Sequence, residues 1–196
     1  MTRSSGARLR ISSTVRHDTP MPQLALSAIG RDRPGIVAEV TRALLGHSLN
    51  ITDSQMAVLG GRFTMMLIVD APDGTDLDAV HEELTRTRER LALDALSLSA
   101  LADAADSLAA DPSHIVTVYG VDHPGIVHAV SARLAARAVN VTDLETRLVG
   151  EGLYAMVLEV ALPLELDPEA LAAMLAEVGA EQGVEVTVRA LDADVM

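Results

Sequence analysis

The strongest constraint on the fold of this chain is an internal repeat. The segment 27–37, SAIGRDRPGIV, is matched 90 residues later by the segment 117–127, TVYGVDHPGIV. The same offset pairs residues 50–53 with 140–143, Gly60 with Gly150, and Met66 with Met156. Two copies are too few for a solenoid, so each copy is expected to enclose a hydrophobic core of its own.

Both copies are predicted to run strand, helix, strand, strand, helix, strand. In the first copy the strands are predicted at 24–29, 51–58, 63–69 and 91–98. The first helix is expected to begin at Pro34, to end near Leu49-Asn50, and to bury one apolar face made of Ile36, Val37, Val40, Ala43 and Leu44. A two-glycine turn, Gly60-Gly61, should join the second and third strands. The second helix is predicted around Leu77, Val80 and Leu84.

The second copy gives the same pattern. Its strands are predicted at 114–119, 141–149, 153–160 and 184–188, its first helix carries Ile126, Val127, Val130 and Leu134, and its second begins at Pro168. This order predicts an α+β protein with two ferredoxin-like βαββαβ domains, each a four-stranded antiparallel sheet with two helices on one face. The third strand of the first copy is apolar on both faces, so the face without helices, or an edge strand, is expected to pair with another such domain.

Composition limits the chemistry that the chain can carry out. It contains no cysteine and no lysine, since all 15 basic residues are arginine. A thiolate nucleophile, a Schiff base and a Walker A lysine are therefore excluded. No ordered catalytic constellation or metal-ligand spacing is present, so we expect no enzyme activity, no cofactor and no metal site. The histidines His123 and His128 are five residues apart, which is not the spacing of paired ligands on one helix face.

Charge and hydropathy make two classes of partner unfavourable. Residues 1–22 hold four arginines and one aspartate, and the remainder of the chain carries a net charge of −16. A body so acidic repels nucleic-acid backbones, so direct nucleic-acid binding is not expected. No apolar run approaches the length of a membrane span and no secretory signal is evident, which makes a cytoplasmic location the default. Whether Met1 or Met21 is the natural start is left open.

The repeated motifs resemble those of the ACT-domain family. They are Gly30-x-Asp32-Arg33-Pro34-Gly35-Ile36-Val37 with Asn50-Ile51, and Gly120-x-Asp122-His123-Pro124-Gly125-Ile126-Val127 with Asn140-Val141. A chain of two ACT domains is similar to the glycine cleavage system transcriptional repressor group. The resemblance implies a regulator that senses a small ligand and acts through a protein partner. The expected organisation is an extension at 1–21, predicted to be disordered, an ACT domain at 22–98, a linker at 99–113 and a second ACT domain at 114–191.

The candidate ligand site lies where the first strand of each copy leads into the first helix. A helix N-terminus offers unpaired N–H groups and partial positive charge to a carboxylate, and a glycine lets a ligand approach the backbone closely. An asparagine side chain can both donate and accept hydrogen bonds. The candidate residues are Asp32, Arg33, Pro34, Gly35, Ile36, Asn50 and Ile51 in the first copy, and Asp122, His123, Pro124, Gly125, Ile126, Asn140 and Val141 in the second.

A purely structural role for these residues stays open at this point. In that role the aspartates cap the helices, and the asparagines terminate them. Two functions therefore compete. In the first, the protein binds an amino acid, with glycine or serine as the first candidates, and signals through a regulated protein partner. In the second, it is a ligand-free interaction module. Either is compatible with a homodimer formed through the sheets or the helices.

Overall fold

The computed structural model describes residues 22–101, 111–150 and 152–191. The chain divides into two compact units, Met1–Ala105 and Asp106–Met196, which we call module 1 and module 2. The extension predicted at 1–21 lies outside the described residues, as does most of the predicted linker, residues 102–110.

Module 1 is a four-stranded antiparallel sheet with two helices. Its elements are β1 (Gln23–Arg31), α1 (Ile36–Leu45), β2 (Asn50–Leu59), β3 (Arg62–Asp70), α2 (Leu77–Arg90) and β4 (Ala95–Ala100). The strand order is β2-β3-β1-β4, which puts β2 and β4 at the edges. Alternate residues of β1 and β3 face the helices and form the core, among them Leu26, Phe63 and Leu67.

Module 2 repeats this topology. Its elements are β5 (His114–Val121), α3 (Ile126–Ala135), β6 (Asn140–Val149), β7 (Leu153–Ala161), α4 (Pro168–Gln182) and β8 (Val184–Ala190), with strand order β6-β7-β5-β8. Its aliphatic core includes Val118, Leu134, Leu158 and Leu175. The predicted α+β fold with two βαββαβ domains is therefore confirmed.

The constant offset of 90 is wrong from β3 to the end of α2, although it returns in β4 and β8. Two residues separate β2 from β3, whereas three separate β6 from β7, so the offset becomes 91. Ala28 pairs with Met65 in β3, and the equivalent Val118 pairs with Met156 in β7. Met156 is thus the counterpart of the buried Met65, not of Met66, which faces away from the helices. In a strand, a shift of one residue reverses the face.

Three predicted boundaries also differ from the structure. The first helix begins at Ile36, after a Pro34-Gly35 turn, and ends at Leu45, because Leu49 N–H bonds back to the Leu44 carbonyl. The strand predicted at 91–98 is β4, Ala95–Ala100, which extends two residues into the predicted linker. Residues 91–94 instead connect α2 to β4 and place buried Leu93 over Gly30.

The predicted apolar face of the first helices also needs one correction. Val37 and Val127 were placed on the core side, but both are exposed, Val37 by 42%. Each follows the buried isoleucine at the start of its helix and points away from the core.

Candidate functional site

The segments Asp32–Gly35 and Asp122–Gly125, which we call the Asp-Pro-Gly loops, are held at both ends. Asp32 N–H donates to the carbonyl of Gly61 in the hairpin turn at 3.1 Å, and Asp122 N–H donates to Gly152 at 3.0 Å. The last residues, Gly35 and Gly125, have φ values of 94° and 109°. Side chains are strained in that region, so glycine is what allows the loop to turn directly into the helix.

The N-termini of α1 and α3 carry no side-chain cap, unlike those of α2 and α4. Asp76 accepts a hydrogen bond from Ala79 N–H at 3.1 Å at the start of α2, and Asp167 accepts one from Glu169 N–H at 3.1 Å at the start of α4. In α1 and α3 the N-cap residue is a glycine, and the first helical bonds are made by Glu39 and Ala129. Asp32 and Asp122 therefore do not cap these helices, and the N–H groups of residues 36–38 and 126–128 have no acceptor within the described part of the chain.

The basic residue of each loop is bonded to the end of the second helix of its own module. The guanidinium of Arg33 donates to the carbonyl of Leu91, just after α2. At the matching position His123 Nε2 lies 2.7 Å from the carbonyl of Gln182 at the end of α4, and Nδ1 lies 3.1 Å from the carbonyl of Pro124. A cation there also faces the negative end of the helix dipole. Arg33 and His123 thus fix the position of the loops.

The charge of His123 depends on these contacts. A neutral imidazole can donate through only one nitrogen, whereas the imidazolium can donate to both carbonyls. The Gln182 carbonyl, followed by the Pro124 carbonyl, raises the pKa of His123; partial desolvation opposes this and Asp122 adds to it. Module 1 has the permanently charged Arg33 at the same position, so only module 2 has a titratable group there.

A cavity of about 620 Å³ lies beside the loop of module 1. It is lined by Asp32, Arg33, Pro34, Gly35, Ile36, Val37, Ala38, Met56 and Phe63. The predicted loop residues are thus brought together, although the Ile36 side chain belongs to the core, as does that of Ile126 in module 2. The wall opposite the loop comes from β2 and β3.

The asparagine candidates lie one cavity further along the same groove. Asn50 and Ile51 begin β2 and line a cavity of about 520 Å³ with residues of the second half of α1. Ala38 lines both cavities, so the two are neighbours. In module 2 the matching Asn140 is exposed at the start of β6, and Val141 pairs with Val160 on the helix side of the sheet. Asn50 lines the second cavity and not the one beside the loop.

Four lining residues were missed by sequence reasoning: Val37, Ala38, Met56 and Phe63. Met56 lies on the helix side of β2, opposite Met65, yet is 53% exposed because the helices do not cover this edge strand. The side-chain alternation along β2 is a sequence signal that places Met56 on the opposite face from Asp53 and Gln55. Its position at an edge depends on strand order, which no local pattern encodes.

The repeated Asn-x-Thr-Asp has a structural explanation in its threonine. The β2–β3 register skips Thr52, and the β6–β7 register skips Thr142, so each is the extra residue of a β-bulge. Thr52 donates its hydroxyl to the Ile68 carbonyl at 3.3 Å, and Thr142 donates to the Glu159 carbonyl at 3.1 Å. The bulge reverses the side-chain alternation along β2 and β6 beyond it.

Comparison with known proteins identifies the family. The model of the ACT domain matches residues 23–96 and again residues 114–189, most of the chain. The chain belongs to the ACT-domain family. Tandem ACT domains are typical of regulation by small ligands, so this is an ACT-domain regulatory protein.

Relatives of this ACT protein include UPF0237 proteins and a glycine cleavage system transcriptional repressor. It is 35% identical over 77 residues to a UPF0237 protein of Methanopyrus kandleri, covering 39% of this chain and 86% of that protein. It is 30% identical over 124 residues to the glycine cleavage system transcriptional repressor of Escherichia coli, covering 63% of this chain and 64% of the repressor. A solved protein of unknown function from Galdieria sulphuraria superposes with a TM-score of 0.69 at 29% identity, covering 87% of this chain and 99% of that one.

Neither a membrane-spanning helix nor a cluster of metal ligands is found in the part of the chain that the structure describes. Among the described residues, no helix combines the length and the apolar character needed to cross a bilayer. Nor do three or more histidine or acidic side chains converge as a metal site in residues 22–101, 111–150 and 152–191.

Proposed function

We propose that this ACT protein is a non-catalytic regulator that binds a free amino acid at its Asp-Pro-Gly loops and signals through a protein partner. The supporting observation is the contrast between its helices. A carboxylate caps α2 and α4, whereas α1 and α3 begin without a side-chain cap, and α1 begins beside the 620 Å³ cavity. The α-carboxylate of a ligand would take the place that Asp76 and Asp167 occupy on the second helices.

The rest of an amino acid also finds partners at this loop. The ammonium group would be attracted to the exposed carboxylate of Asp32 or Asp122. In module 1 the side chain would extend along the cavity towards Met56. Asn50 and Asn140 would contact only a ligand long enough to reach the next part of the groove.

We propose that ligand binding is communicated to the protein partner through association of this chain with a second copy. The sheet face opposite the helices exposes Met66 and Ile29 in module 1, and Tyr119 and Val157 in module 2. Exposed apolar sheet faces are typical association surfaces. We propose a homodimer formed through them.

A thermal-shift screen of the 20 standard amino acids tests the ligand. Glycine and serine come first, because one relative is a glycine cleavage repressor. A true ligand at a hundredfold excess over Kd stabilises the protein by about 2.7 kcal/mol, a shift of several degrees. No shift with any amino acid contradicts ligand binding.

The variant Gly35→Ala, with Gly74→Ala as control, locates the site in module 1. Both glycines have positive φ, 94° and 81°, and both leave open space where a Cβ would stand. Both variants should therefore suffer similar backbone strain, but only Gly35→Ala should lose the ligand-induced shift. Equal shifts in the two variants would place the ligand elsewhere.

The alternative function is a ligand-free interaction module. The commitment of Arg33 and His123 to helix carbonyls favours it, since two of the candidate ligand contacts already have intramolecular partners. Affinity capture of a regulated protein that is equally efficient with and without every amino acid in the panel would support this alternative.

A further inference from the structure

The residues that line the cavity of module 1 differ in chemical character from those at the matched positions of module 2. With the offset of 90 before the hairpin and 91 after it, five of the nine cavity-lining residues of module 1 are identical in module 2. The four that change are Arg33 to His123, Ala38 to His128, Met56 to Thr146, and Phe63 to Tyr154. Three of these changes replace a hydrocarbon or thioether side chain by one that makes hydrogen bonds.

In module 1 the wall opposite the loop is apolar. Phe63 is almost fully buried beneath it, and Met56 stands exposed on the helix side of β2. Val37, from the first turn of α1, adds a third apolar side chain. The two charged lining residues are Asp32, which would serve the ligand ammonium, and Arg33, which is held by Leu91. None of the lining residues beyond the loop has a side chain that donates a hydrogen bond.

In module 2 the same wall carries hydroxyl groups. The phenol of Tyr154 donates to the sulfur of Met156 at 3.7 Å, and a thioether is a weak acceptor. Burial raises the pKa of Tyr154, a hydrogen bond with Thr146 lowers it, and the nearby charge of Asp122 raises it. These two partners come from different parts of the site, because Thr146 is on β6 and Asp122 is in the loop. Strand pairing places them together as well, because Gly120 near the start of the loop pairs with Tyr154, and Thr146 pairs with Met156. The exposed His128 is on the first turn of α3.

We propose that the two modules select different amino acids: module 1 one with an apolar side chain, and module 2 one whose side chain carries a hydroxyl or amide group. This inference rests on the proposed function, because it assumes that both loops hold the α-carboxylate and ammonium of a ligand. The protein then responds to two classes of amino acid, one bound by each module, instead of binding the same amino acid at both.

The two sites should also differ in stringency. An apolar pocket rejects a polar isostere only modestly, whereas a site whose buried polar groups lose their partner rejects an apolar isostere more strongly. Module 2 should therefore discriminate more sharply than module 1.

Isothermal titration of the full-length chain with two isosteric pairs tests the proposal. Valine and threonine differ by a methyl in place of a hydroxyl, and leucine and asparagine have nearly the same shape. Gly125→Ala confines binding to module 1, and Gly35→Ala confines it to module 2. We expect the first variant to prefer valine and leucine, and the second to prefer threonine and asparagine by about tenfold or more.

Exchange of the wall residues should transfer the preference. Met56→Thr with Phe63→Tyr should shift module 1 by about tenfold towards the polar member of each pair, and Thr146→Met with Tyr154→Phe should do the reverse in module 2. Met66→Thr is the matched control, because Met66 is as exposed as Met56, at 53%, but lies on the other face of the sheet. It should leave ligand preference unchanged.

The outcomes separate the inference from the function on which it rests. If both sites bind but share one preference, or if the exchanges leave the preferences unaltered, the inference is wrong and ligand binding stands. If none of the four amino acids, and no other in the thermal-shift panel, binds to the full-length chain, the proposed function itself fails and the inference with it.

Discussion

At the scale of single residues, the two glycines of each repeated motif have different tasks. Gly35 and Gly125 provide a positive φ, with open space around Gly35. Gly30 and Gly120 lie at the ends of β1 and β5, where the chain after the second helix packs directly onto them. A Cβ on Gly30 would stand 2.7 Å from Leu93 Cδ2, and one on Gly120 would stand 2.6 Å from Val184 Cγ1. The first pair shapes the loop, and the second admits close packing.

Gly30→Ala and Gly120→Ala should both destabilise their modules, and Gly120→Ala should do so more. Beside Gly30 the closest atom is the mobile end of a leucine, with backbone at 3.3 Å, whereas beside Gly120 the Val184 Cα lies at 3.0 Å. Overpacking of this kind costs about 1–3 kcal/mol. Urea unfolding monitored by circular dichroism measures both, and equal losses would contradict the packing difference.

The stability of module 2 should depend on pH through His123. Its pKa is raised in the folded state, so its contribution is complete below the unfolded value of 6.5 and is lost as pH rises through the folded value. The urea midpoint of the His123→Arg variant should vary less than that of the wild type between about pH 6 and about pH 8. Arg33→His in module 1 should introduce the dependence there. If the urea midpoints of the wild type and of the His123→Arg variant depend on pH to the same extent over this range, His123 is not the group responsible.

At the scale of elements, three of the four helices in the described part of the chain are followed by a residue with an unfavourable backbone conformation. Ser48, Ala92 and Ala138 have φ values of 59°, 43° and 53°, in the left-handed region. Each follows a helix whose end is closed by a backbone bond from the next residue, as from Leu93 N–H to the Arg88 carbonyl. This is the hydrogen bonding of a Schellman motif, in which glycine is the usual residue. Only α4, with Gly183 at φ 65°, has it.

Glycine at these positions should stabilise the protein. Ala92→Gly and Ala138→Gly relieve left-handed strain and should each raise the free energy of unfolding by up to about 1 kcal/mol, after the greater entropy of unfolded glycine is subtracted. Gly183→Ala is the reciprocal control and should lower it by a similar amount. Denaturant melts at one pH suffice. A lower free energy of unfolding in Ala92→Gly and Ala138→Gly would contradict the proposed backbone strain.

The sequence predicted the elements better than their ends. The repeat, the alternation in β8 and the helical spacing of Val40 and Leu44 are local patterns, and each led to the correct element. Helix ends were misplaced because Ser48 and Ala92 carry no glycine signal, and the apolar Leu91 and Leu93 resemble a strand while they fill the connection to β4. The far wall of the site was missed because Met56 and Phe63 reach the loop only through strand pairing.

At the scale of the whole molecule, each module buries its own core. The buried residues divide into two separate clusters, one in each unit. Fragments Met1–Ala105 and Asp106–Met196 should therefore each fold alone with a cooperative thermal transition. Circular dichroism of the two fragments checks this. A fragment that is unfolded alone but folds when mixed with the other would show that the cores depend on each other.

Association through the open sheet faces should be sensitive to charge. Met66→Asp places a carboxylate on the exposed face of β3, where a second copy would have to bury it. We expect sedimentation velocity to show dimer for the wild type and monomer for this variant. Leu164→Asp, at a fully exposed loop residue (102%), is the matched control and should remain dimeric. If all three proteins sediment alike, the open face of module 1 is not the interface.

The extra residue in the second hairpin has a consequence for how the two halves diverged. An extra residue inside β6 or β7 would move every following side chain of that strand to the opposite face of the sheet. An extra residue in the turn leaves the side chains of both strands on their original faces. The turn is thus where one half of a duplicated gene could gain a codon without harm. Any transfer of residue roles between the halves must use two registers, since a single one would equate the solvent-facing Met66 with the core residue Met156 and lead a protein engineer to place polar atoms in the hydrophobic interior.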